Sequence, residues 1–434
     1  MSDEIAYATI RELGARYRKR ELSPVEVTTA LLARIDTLDP LLHAFVTLTA
    51  DGALADARAA EEALRRGDER PLLGIPVGHK DIYLTRGVRT TGGSALLADW
   101  IPEEDATCVR RWREAGTVLL GKLMTHEFAF AIQLPGHRFP PARNPWNLDH
   151  IPGGSSSGSA SAVAGGLADV ALGTDCAGSV RLPASFCGIF GFRPTHGRVS
   201  ADGAVALAPS FDAVGWFARD AELLERVGRV LMPDPPPPSP RRVLVATDAF
   251  ALVGDRMTEA LRPGLDAVGG AVGRSEPVLL HPPGLGELRE WFRLLQAFEV
   301  WATHGEWVRR VKPDFGPGIK ERYEWAATVT ANQVEGPQRA RAQFAAQLDA
   351  MLADGAVLCL PTAPGIAPLL KTPADALETF RAQAIGLLSI AGLARLPQVS
   401  LPLGTLDGCP VGLSLVGWRG SDLALLALAR SLGP

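Results

Sequence analysis

From residue 67 onward, short apolar runs alternate with segments of helical periodicity. The runs occupy residues 74–77, 118–120, 170–172, 243–246 and 356–360. Short apolar runs separated by helices are typical of strands buried on both faces, because the connecting helices cover the sheet. The pattern therefore predicts an α/β protein whose strands are buried and largely parallel.

The residues before this pattern predict helices. Ser23 and Glu26 form a capping box at the start of one helix, and the pair Asp39-Pro40 is expected to end it. A proline run at 234–238 interrupts the later part of the chain. This run is consistent with a domain boundary or with a loop inside one domain.

The composition excludes some classes of protein. Hydrophobic residues make up 47% of the 434 residues, and the formal net charge is −4. Disordered chains combine low hydrophobicity with high net charge, and dedicated nucleic-acid binders carry a basic patch, so neither class fits. No apolar stretch is long enough for a secretory signal or a membrane span. Scattered cysteines without a CxxC pair predict a reduced, cytoplasmic protein.

Glycine and serine are concentrated in the centre of the chain. A Gly/Ser turn at 153–159 leads into a predicted helix at 160–164 and a predicted strand at 169–173, and a second turn follows at 176–179. Because the turns flank one helix and one strand, they can return to one place in space. Taken alone, however, such a run more often lets two backbones pack closely.

Several rival chemistries lack part of their pattern. A phosphate-binding loop requires G-x-x-x-x-G-K-[ST], and no lysine follows these glycines. A nucleophile elbow requires a strand directly before the G-x-S-x-G at 154–158, but residues 143–152 have loop composition. The eight histidines show no paired-ligand spacing, so no metal is expected. A Ser-His-Asp triad stays open, as does a cysteine nucleophile at Cys176 or Cys187.

The central segment resembles the amidase signature family. The chain reads GGSSSGS at 153–159 and GTDCAGSVRLPASFCGIFGFRPTHGRVS at 173–200, close to the family's two central motifs. Further similarities are GIPVGHKD at 74–81, RNPW at 143–146 and PTAP at 361–364. The resemblance covers most of the chain from about residue 22, including its C-terminal segment.

This resemblance implies one α/β domain across residues 1–434, in which a large twisted mixed sheet lies between helical layers. We expect N-terminal helices at about 1–70, a signature core at about 71–230, a more variable helical part at about 233–350 and the rest of the core at about 351–434. The implied activity is hydrolysis of an amide C–N bond with neither a metal nor an organic cofactor.

The family uses a Ser–cis-Ser–Lys triad. By position in the motifs, Ser179 is expected to be the nucleophile, Ser155 the bridging cis-serine and Lys80 the base. A lysine acts as a base only when it is neutral, and burial would lower its pKa toward the working pH. The oxyanion hole is expected from four backbone N–H groups, those of Cys176, Ala177, Gly178 and Ser179. The residues expected to support the site without reacting are Ser156, Asp175 and Arg181.

Four positions depart from the family pattern without removing a triad member. Ala177 and Ser157 stand where glycine is commoner, and His196 stands where tyrosine is frequent. Ala177 is tolerable if its φ is negative. His79 precedes the lysine and either helps to keep it neutral or, as the simpler interpretation, points outward from the strand.

The resemblance also suggests a substrate. Residues 151–157 and 210–220 are similar to the branch typified by indole-3-acetamide hydrolases, which implies a small primary amide with an aryl or apolar acyl group. The aromatic residues at 291–325 form either a wall over such a pocket or a helix pair packed on the sheet. Alternatives are the glutaminase-type subunit of a tRNA-dependent amidotransferase and a catalytically silent scaffold. No nucleic acid or membrane partner is expected, and a homodimer is possible on family grounds.

Overall fold

The computed structural model describes residues 2–131, 139–235 and 237–433. Within these ranges, eleven strands form one sheet in the order β1-β3-β2-β4-β6-β5-β10-β11-β9-β7-β8. The strands are β1 (Phe45–Leu48), β2 (Pro76–Lys80), β3 (Val118–Leu123), β4 (Val170–Asp175), β5 (Phe190–Arg193), β6 (Ala213–Ala218), β7 (Arg242–Ala246), β8 (Ser275–Val278), β9 (Ala356–Pro361), β10 (Gln398–Leu406) and β11 (Cys409–Val416).

Helices connect and cover these strands. In the described ranges, they are α1 (Ser2–Ala6), α2 (Ile10–Lys19), α3 (Pro24–Leu42), α4 (Ala50–Arg65), α5 (Thr107–Glu114), α6 (Ser157–Ala164), α7 (Arg181–Cys187), α8 (Ala221–Leu231), α9 (Thr247–Val272), α10 (Leu285–Val311), α11 (Ile319–Ala326), α12 (Ala331–Leu352), α13 (Ala374–Ala394) and α14 (Asp422–Leu432). None of these helices contains the long apolar stretch that a membrane span requires.

Alternate residues of strand β9 enter two different hydrophobic cores. On β9, Val357 and Cys359 pack into one core, whereas Leu358 and Leu360 pack into the other. Helices α8, α9 and α14 contribute to the first core, and α10, α12 and α13 contribute to the second. The sheet therefore lies between helical layers, and the predicted α/β class is confirmed.

The mixed sheet implied by the resemblance is confirmed, whereas the largely parallel strands predicted from the short apolar runs were wrong. Parallel pairs join β2 to β3 and β4, and β7 to β8 and β9. The remaining neighbours are antiparallel, including the hairpin of β10 and β11. A tight turn can reverse a chain without a crossover helix, so short apolar runs alone do not report strand direction.

Two local predictions had different outcomes. The capping box at α3 is confirmed: the Ser23 Oγ accepts a hydrogen bond from the Glu26 N–H at 3.2 Å. The predicted end at Asp39-Pro40 was wrong, because α3 continues to Leu42. The Asp39 carboxylate accepts a hydrogen bond from the Ala44 N–H at 2.7 Å, and Leu42 is buried. These contacts stabilise the turn that Pro40 weakens.

The proline run at 234–238 connects α8 to β7. Strand β7 pairs with β9, so the chain on both sides of the run belongs to one sheet.

The topology brings three chain segments to one edge of the sheet. Strands β2, β3 and β4 are parallel neighbours, so their carboxyl ends lie together. The chain returns from β3 to β4 through α6, which places the start of α6 at the same edge. In open α/β sheets, ligands bind outside the carboxyl ends of such strands. Lys80 ends β2, Ser155 precedes α6, and residues 176–179 follow β4.

Candidate active site

Lys80 is the centre of a buried polar cluster. Its side chain has no exposed surface, and its Nζ lies 2.7 Å from the Ser155 Oγ and 2.7 Å from the Thr174 Oγ1. Burial lowers the pKa of Lys80 from 10.5 to about 7, although Asp175 and Asp212 act in the opposite direction. A large part of the lysine is therefore an uncharged amine near neutral pH.

The two serines of the central motifs lie in the same cavity. Ser155, Thr174 and Ser179 line a cavity of about 360 Å³, and both serine side chains are almost fully buried. The Gly154–Ser155 peptide bond is cis. The Ser156 N–H donates to the Ser179 carbonyl at 3.4 Å, which ties the first Gly/Ser turn to the second.

The turn at 176–179 contains backbone donors without a partner among the described residues. Gly178 has a φ of +103°, and a Cβ there would lie 2.5 Å from the Leu388 Cδ1, so both conformation and space favour glycine. Its N–H donates to the Asp175 Oδ1 at 3.1 Å. The N–H groups of Cys176, Ala177 and Ser179 make no hydrogen bond to any described residue, and Ala177 stays outside the left-handed region.

A buried ion pair between Asp175 and Arg181 stabilises this turn. The fully buried Asp175 carboxylate accepts from the Arg181 Nη2 at 2.6 Å and Nε at 2.9 Å, and Arg193 lies 3.1 Å away. Burial by itself would raise the pKa of Asp175, but the guanidinium groups of Arg181 and Arg193 hold it well below its usual range. Because Asp175 also accepts the Val180 N–H at 3.2 Å, the pair orients the backbone around Ser179.

The remaining predicted positions have structural contacts. Ser156 Oγ donates to the Thr174 carbonyl and accepts the Thr174 N–H, each at 3.3 Å, so it anchors the end of β4. The Ser157 Oγ donates to the Met124 carbonyl at 3.4 Å. His79 does not point outward as predicted but is buried beside Trp112, with ring centroids 5.8 Å apart. Burial and the nearby Lys122 lower the pKa of His79 well below its usual range, so it is neutral.

Three contributors were missed by the sequence analysis. Thr174 contacts Lys80, Arg193 supports Asp175, and Asp212 lines the cavity beside Cys176. Burial raises the pKa of Asp212 to about 6 even though two backbone N–H groups bond to it. Thr174 and Arg193 lie inside the second central motif at 173–200, so their position in the sequence could have marked them as site residues. Asp212 lies in the segment at 210–220 that resembles the hydrolase branch, but the sequence analysis assigned it no role in the site.

The aromatic segment at 291–325 packs in the core and does not form a wall of the cavity. Phe315, between α10 and α11, stacks on Tyr323 of α11 with ring centroids 4.5 Å apart, and the Phe128 and Phe315 ring centroids lie 6.0 Å apart. No aromatic residue of this segment lines the 360 Å³ cavity within the described chain. The interpretation as packed helices therefore fits, and the interpretation as an aromatic pocket wall was wrong.

Two rival chemistries find little support in the site. The described residues contain no group of three or more histidine, cysteine, aspartate or glutamate side chains that could hold a metal ion. Cys176 lies in the cavity wall, where its Sγ accepts from the Gln296 Nε2 at 3.2 Å. Burial raises the pKa of the Cys176 thiol well above its usual range, which disfavours the thiolate that a cysteine nucleophile needs.

Comparison with known proteins shows the family of this chain. A family model described as Amidase matches residues 26–253. Amidase 1 of Arabidopsis thaliana is 39% identical over 397 residues, covering 83% of this chain and 93% of its own length. A glutamyl-tRNA(Gln) amidotransferase subunit of Roseiflexus sp. (strain RS-1) is 34% identical over 467 residues, covering 97% of this chain and 94% of its own length.

A solved amidase structure has a fold similar to that of this chain. A crystal structure of an amidase superposes with a TM-score of 0.88 at 30% sequence identity, covering 98% of this chain and 99% of the other. The matched family region contains Lys80, Ser155 and Ser179. The chain therefore belongs to the amidase signature family, and it is a hydrolase that acts on amide C–N bonds.

Proposed function

We propose that this protein hydrolyses a small carboxylic amide to a carboxylate and ammonia through an acyl-enzyme on Ser179. One observation carries the proposal. A fully buried lysine, with its pKa lowered to about 7, contacts the Ser155 hydroxyl at 2.7 Å in a cavity that Ser179 also lines. A neutral amine at this place is the base that a serine nucleophile requires.

The first step is attack by Ser179 on the amide carbonyl. The proton of the Ser179 hydroxyl passes to the Ser155 hydroxyl while the Ser155 proton passes to the Lys80 Nζ, so the lysine gains the positive charge. The new C–O bond creates a tetrahedral intermediate with a negative oxygen. The N–H groups of Cys176, Ala177 and Ser179 are the donors available to stabilise it, because the Gly178 N–H already bonds to Asp175.

Breakdown of the intermediate reverses the proton path. The protonated Lys80 returns a proton through Ser155 to the amide nitrogen, the C–N bond breaks and ammonia leaves. Water then attacks the acyl-enzyme, giving up its proton along the same relay, and the carboxylate is released. Ser155 both donates and accepts in each half-reaction, so a hydroxyl that can rotate is required at this position.

The cavity favours a small apolar acyl group. Its volume of about 360 Å³ is near the lower end of ligand pockets. Besides the catalytic groups, its wall comes mainly from residues 196–214, including Val199, Val205, Leu207 and Val214. These side chains suit an aryl or alkyl chain better than a charged one, so aryl or apolar primary amides are the preferred substrates.

Ammonia release from a panel of amides tests the proposal. The panel contains arylacetamides, short aliphatic amides and glutamine. We expect arylacetamides to give the highest kcat/KM, and Ser179→Ala and Lys80→Ala each to lower turnover by at least about 10³-fold, because the residues act as one unit. Exposed positions supply matched controls, Ser431→Ala and Lys371→Ala, which should retain wild-type rates.

A fluorophosphonate probe separates the enzyme from a silent scaffold. Wild-type protein should be labelled at Ser179, and Ser179→Ala should not be labelled. Wild-type protein that neither reacts with the probe nor releases ammonia from any amide would refute the proposed function.

The second candidate is a glutaminase-type subunit of a tRNA-dependent amidotransferase. It is favoured by the similarity to the amidotransferase protein of Roseiflexus, which spans nearly the whole chain. An enzyme component of this kind would need partner proteins and would prefer glutamine. High activity of the lone chain on arylacetamides would exclude it, whereas activity on glutamine that appears only with a copurifying partner would favour it.

A further inference from the structure

One wall of the 360 Å³ cavity is formed by the loop at 204–212, called here the wall loop. Residues 204–207, Pro209 and Asp212 of this loop line the cavity. Strand β5 ends at Arg193 and β6 begins at Ala213, so the wall loop lies between the two strands and outside both. Its position therefore depends on contacts with other parts of the chain.

Ser210, inside the wall loop, is held by two side chains of opposite charge. The Glu299 carboxylate on α10 accepts hydrogen bonds from the Ser210 N–H, at 2.8 Å, and from the Ser210 hydroxyl. The Arg341 guanidinium on α12 donates to the Ser210 carbonyl at 2.9 Å and to the Ser210 Oγ at 2.6 Å. Hydrogen bonds to charged groups are stronger than those between neutral groups, so both helices anchor the loop at this residue.

Arg341 also connects the wall loop to α13 and to the hydrophobic core. Its Nε donates to the Leu393 carbonyl, near the end of α13, at 3.0 Å. Its guanidinium carbon lies 3.9 Å from the centre of the Phe211 ring. Phe211 is buried, and its ring centroid lies 4.9 Å from that of Phe292 on α10. The residue after Ser210 is therefore packed between the same two helices.

Helix α10 contacts the cavity wall at two further points. The Gln296 Nε2 donates to the Cys176 Sγ at 3.2 Å, and the His304 Nε2 donates to the Ala206 carbonyl at 2.8 Å. Both Cys176 and Ala206 line the cavity. The match to the family model ends at residue 253, so α10 and α12 lie outside it. The wall loop thus belongs to the matched region, but the groups that anchor it do not.

We propose that Glu299 and Arg341 are positioning residues that fix the wall loop and thereby set how strongly the enzyme favours large apolar acyl groups over small ones. This inference rests on the proposed function and names residues that control its substrate choice. Lys80 and Ser179 lie on other segments, so a displaced wall loop should weaken binding of an acyl group that fills the cavity. An acetyl group fills little of a cavity of about 360 Å³, so its hydrolysis should depend little on the wall loop.

Phenylacetamide and acetamide form the substrate pair that tests the proposal. The readout is the ratio of their kcat/KM values, in which the amount of active protein cancels, so a loss of folded protein alone does not move it. Glu299→Leu and Arg341→Met should each lower this ratio at least about tenfold, mainly by raising KM for phenylacetamide, since a hydrogen bond to a charged group is worth this much or more. The kcat/KM for acetamide, per site labelled by a fluorophosphonate, should stay within about threefold of the wild-type value.

Conservative variants and matched controls accompany these changes. Glu299→Gln keeps an acceptor for the Ser210 N–H and should restore most of the ratio lost in Glu299→Leu. Ser210→Ala removes only the hydroxyl contacts and should lower the ratio by about 2- to 5-fold. Exposed positions on the same helices supply the controls, Glu306→Leu on α10 and Arg339→Met on α12, which should leave the ratio unchanged. If Glu299→Leu gives no labelled protein, Arg341→Met and Ser210→Ala decide the question by the same ratio.

Two results would overturn the inference. One is a ratio within about twofold of the wild-type value in Arg341→Met and in every Glu299 variant that folds. The other is an equal fall in kcat/KM for both amides per labelled site. In either case, amide turnover by the wild type would leave the proposed function standing. Wild-type protein with no amide turnover and no fluorophosphonate labelling would instead remove the proposed function itself.

Discussion

Replacement of Lys80 by methionine should abolish turnover and stabilise the folded protein at the same time. The lysine is fully buried, and burial lowers its pKa from 10.5 to about 7. In the unfolded chain, the amine keeps its ordinary pKa. The folded state therefore carries a penalty for the charged amine that a methionine of similar length does not have.

The size of this effect follows from the pKa. The fall from 10.5 to about 7 corresponds to roughly 4–5 kcal/mol at pH 6, where both states are protonated. The hydrogen bonds to Ser155 and Thr174 offset about 1–3 kcal/mol of the gain, since each is worth about 0.5–1.5 kcal/mol. We expect Lys80→Met to raise the free energy of unfolding by about 1–4 kcal/mol at pH 6.

The sign of the pH dependence is also fixed. Between pH 7 and 10.5, the unfolded lysine binds a proton that the folded lysine has released, so wild-type stability rises with pH in this window. The advantage of Lys80→Met should therefore be about 2–3 kcal/mol smaller at pH 9 than at pH 6. Urea unfolding of wild type and variant at both pH values measures this difference, with Lys371→Met as the exposed control. A stability difference that does not change with pH would show that Lys80 has an ordinary pKa, and the proposed base would be lost.

Three further outcomes are expected. The kcat/KM for amide hydrolysis should fall about tenfold per pH unit below pH 7, because Lys80 must be neutral to act as base; a flat profile from pH 5 to 8 in the ammonia assay would contradict this. Thr174→Val should lower kcat by about 2- to 10-fold by removing one contact of the lysine, and Thr174→Ser should restore it; equal rates for both variants would contradict the contact. Arg181→Met should lower the free energy of unfolding by about 3–5 kcal/mol in chemical denaturation, because it breaks a buried ion pair with Asp175. A loss below about 1 kcal/mol would mean that Arg193 alone compensates the charge of Asp175.

The sequence predicted elements best where the signal was local. The capping box at Ser23 identified the start of α3, because such a cap involves residues only three positions apart. The end of α3 depended on contacts made by Leu42 and Asp39 in the folded protein, and the prediction from Pro40 alone was wrong. The prediction of largely parallel strands was wrong for a similar reason, because strand direction depends on which strands, distant in sequence, pair in the sheet.

The sequence by itself determined the α/β class, the family and the positions of Lys80, Ser155 and Ser179 in its motifs, because each of these is encoded by residue types at short, fixed spacing. Only the tertiary structure decided which groups surround the lysine and the nucleophile. The contact between Lys80 and Thr174 spans 94 positions of the chain, and the contact between Lys80 and Ser155 spans 75. Burial arises from such long-range contacts, so the lowered pKa of Lys80 exists only after the sheet and its helices have assembled.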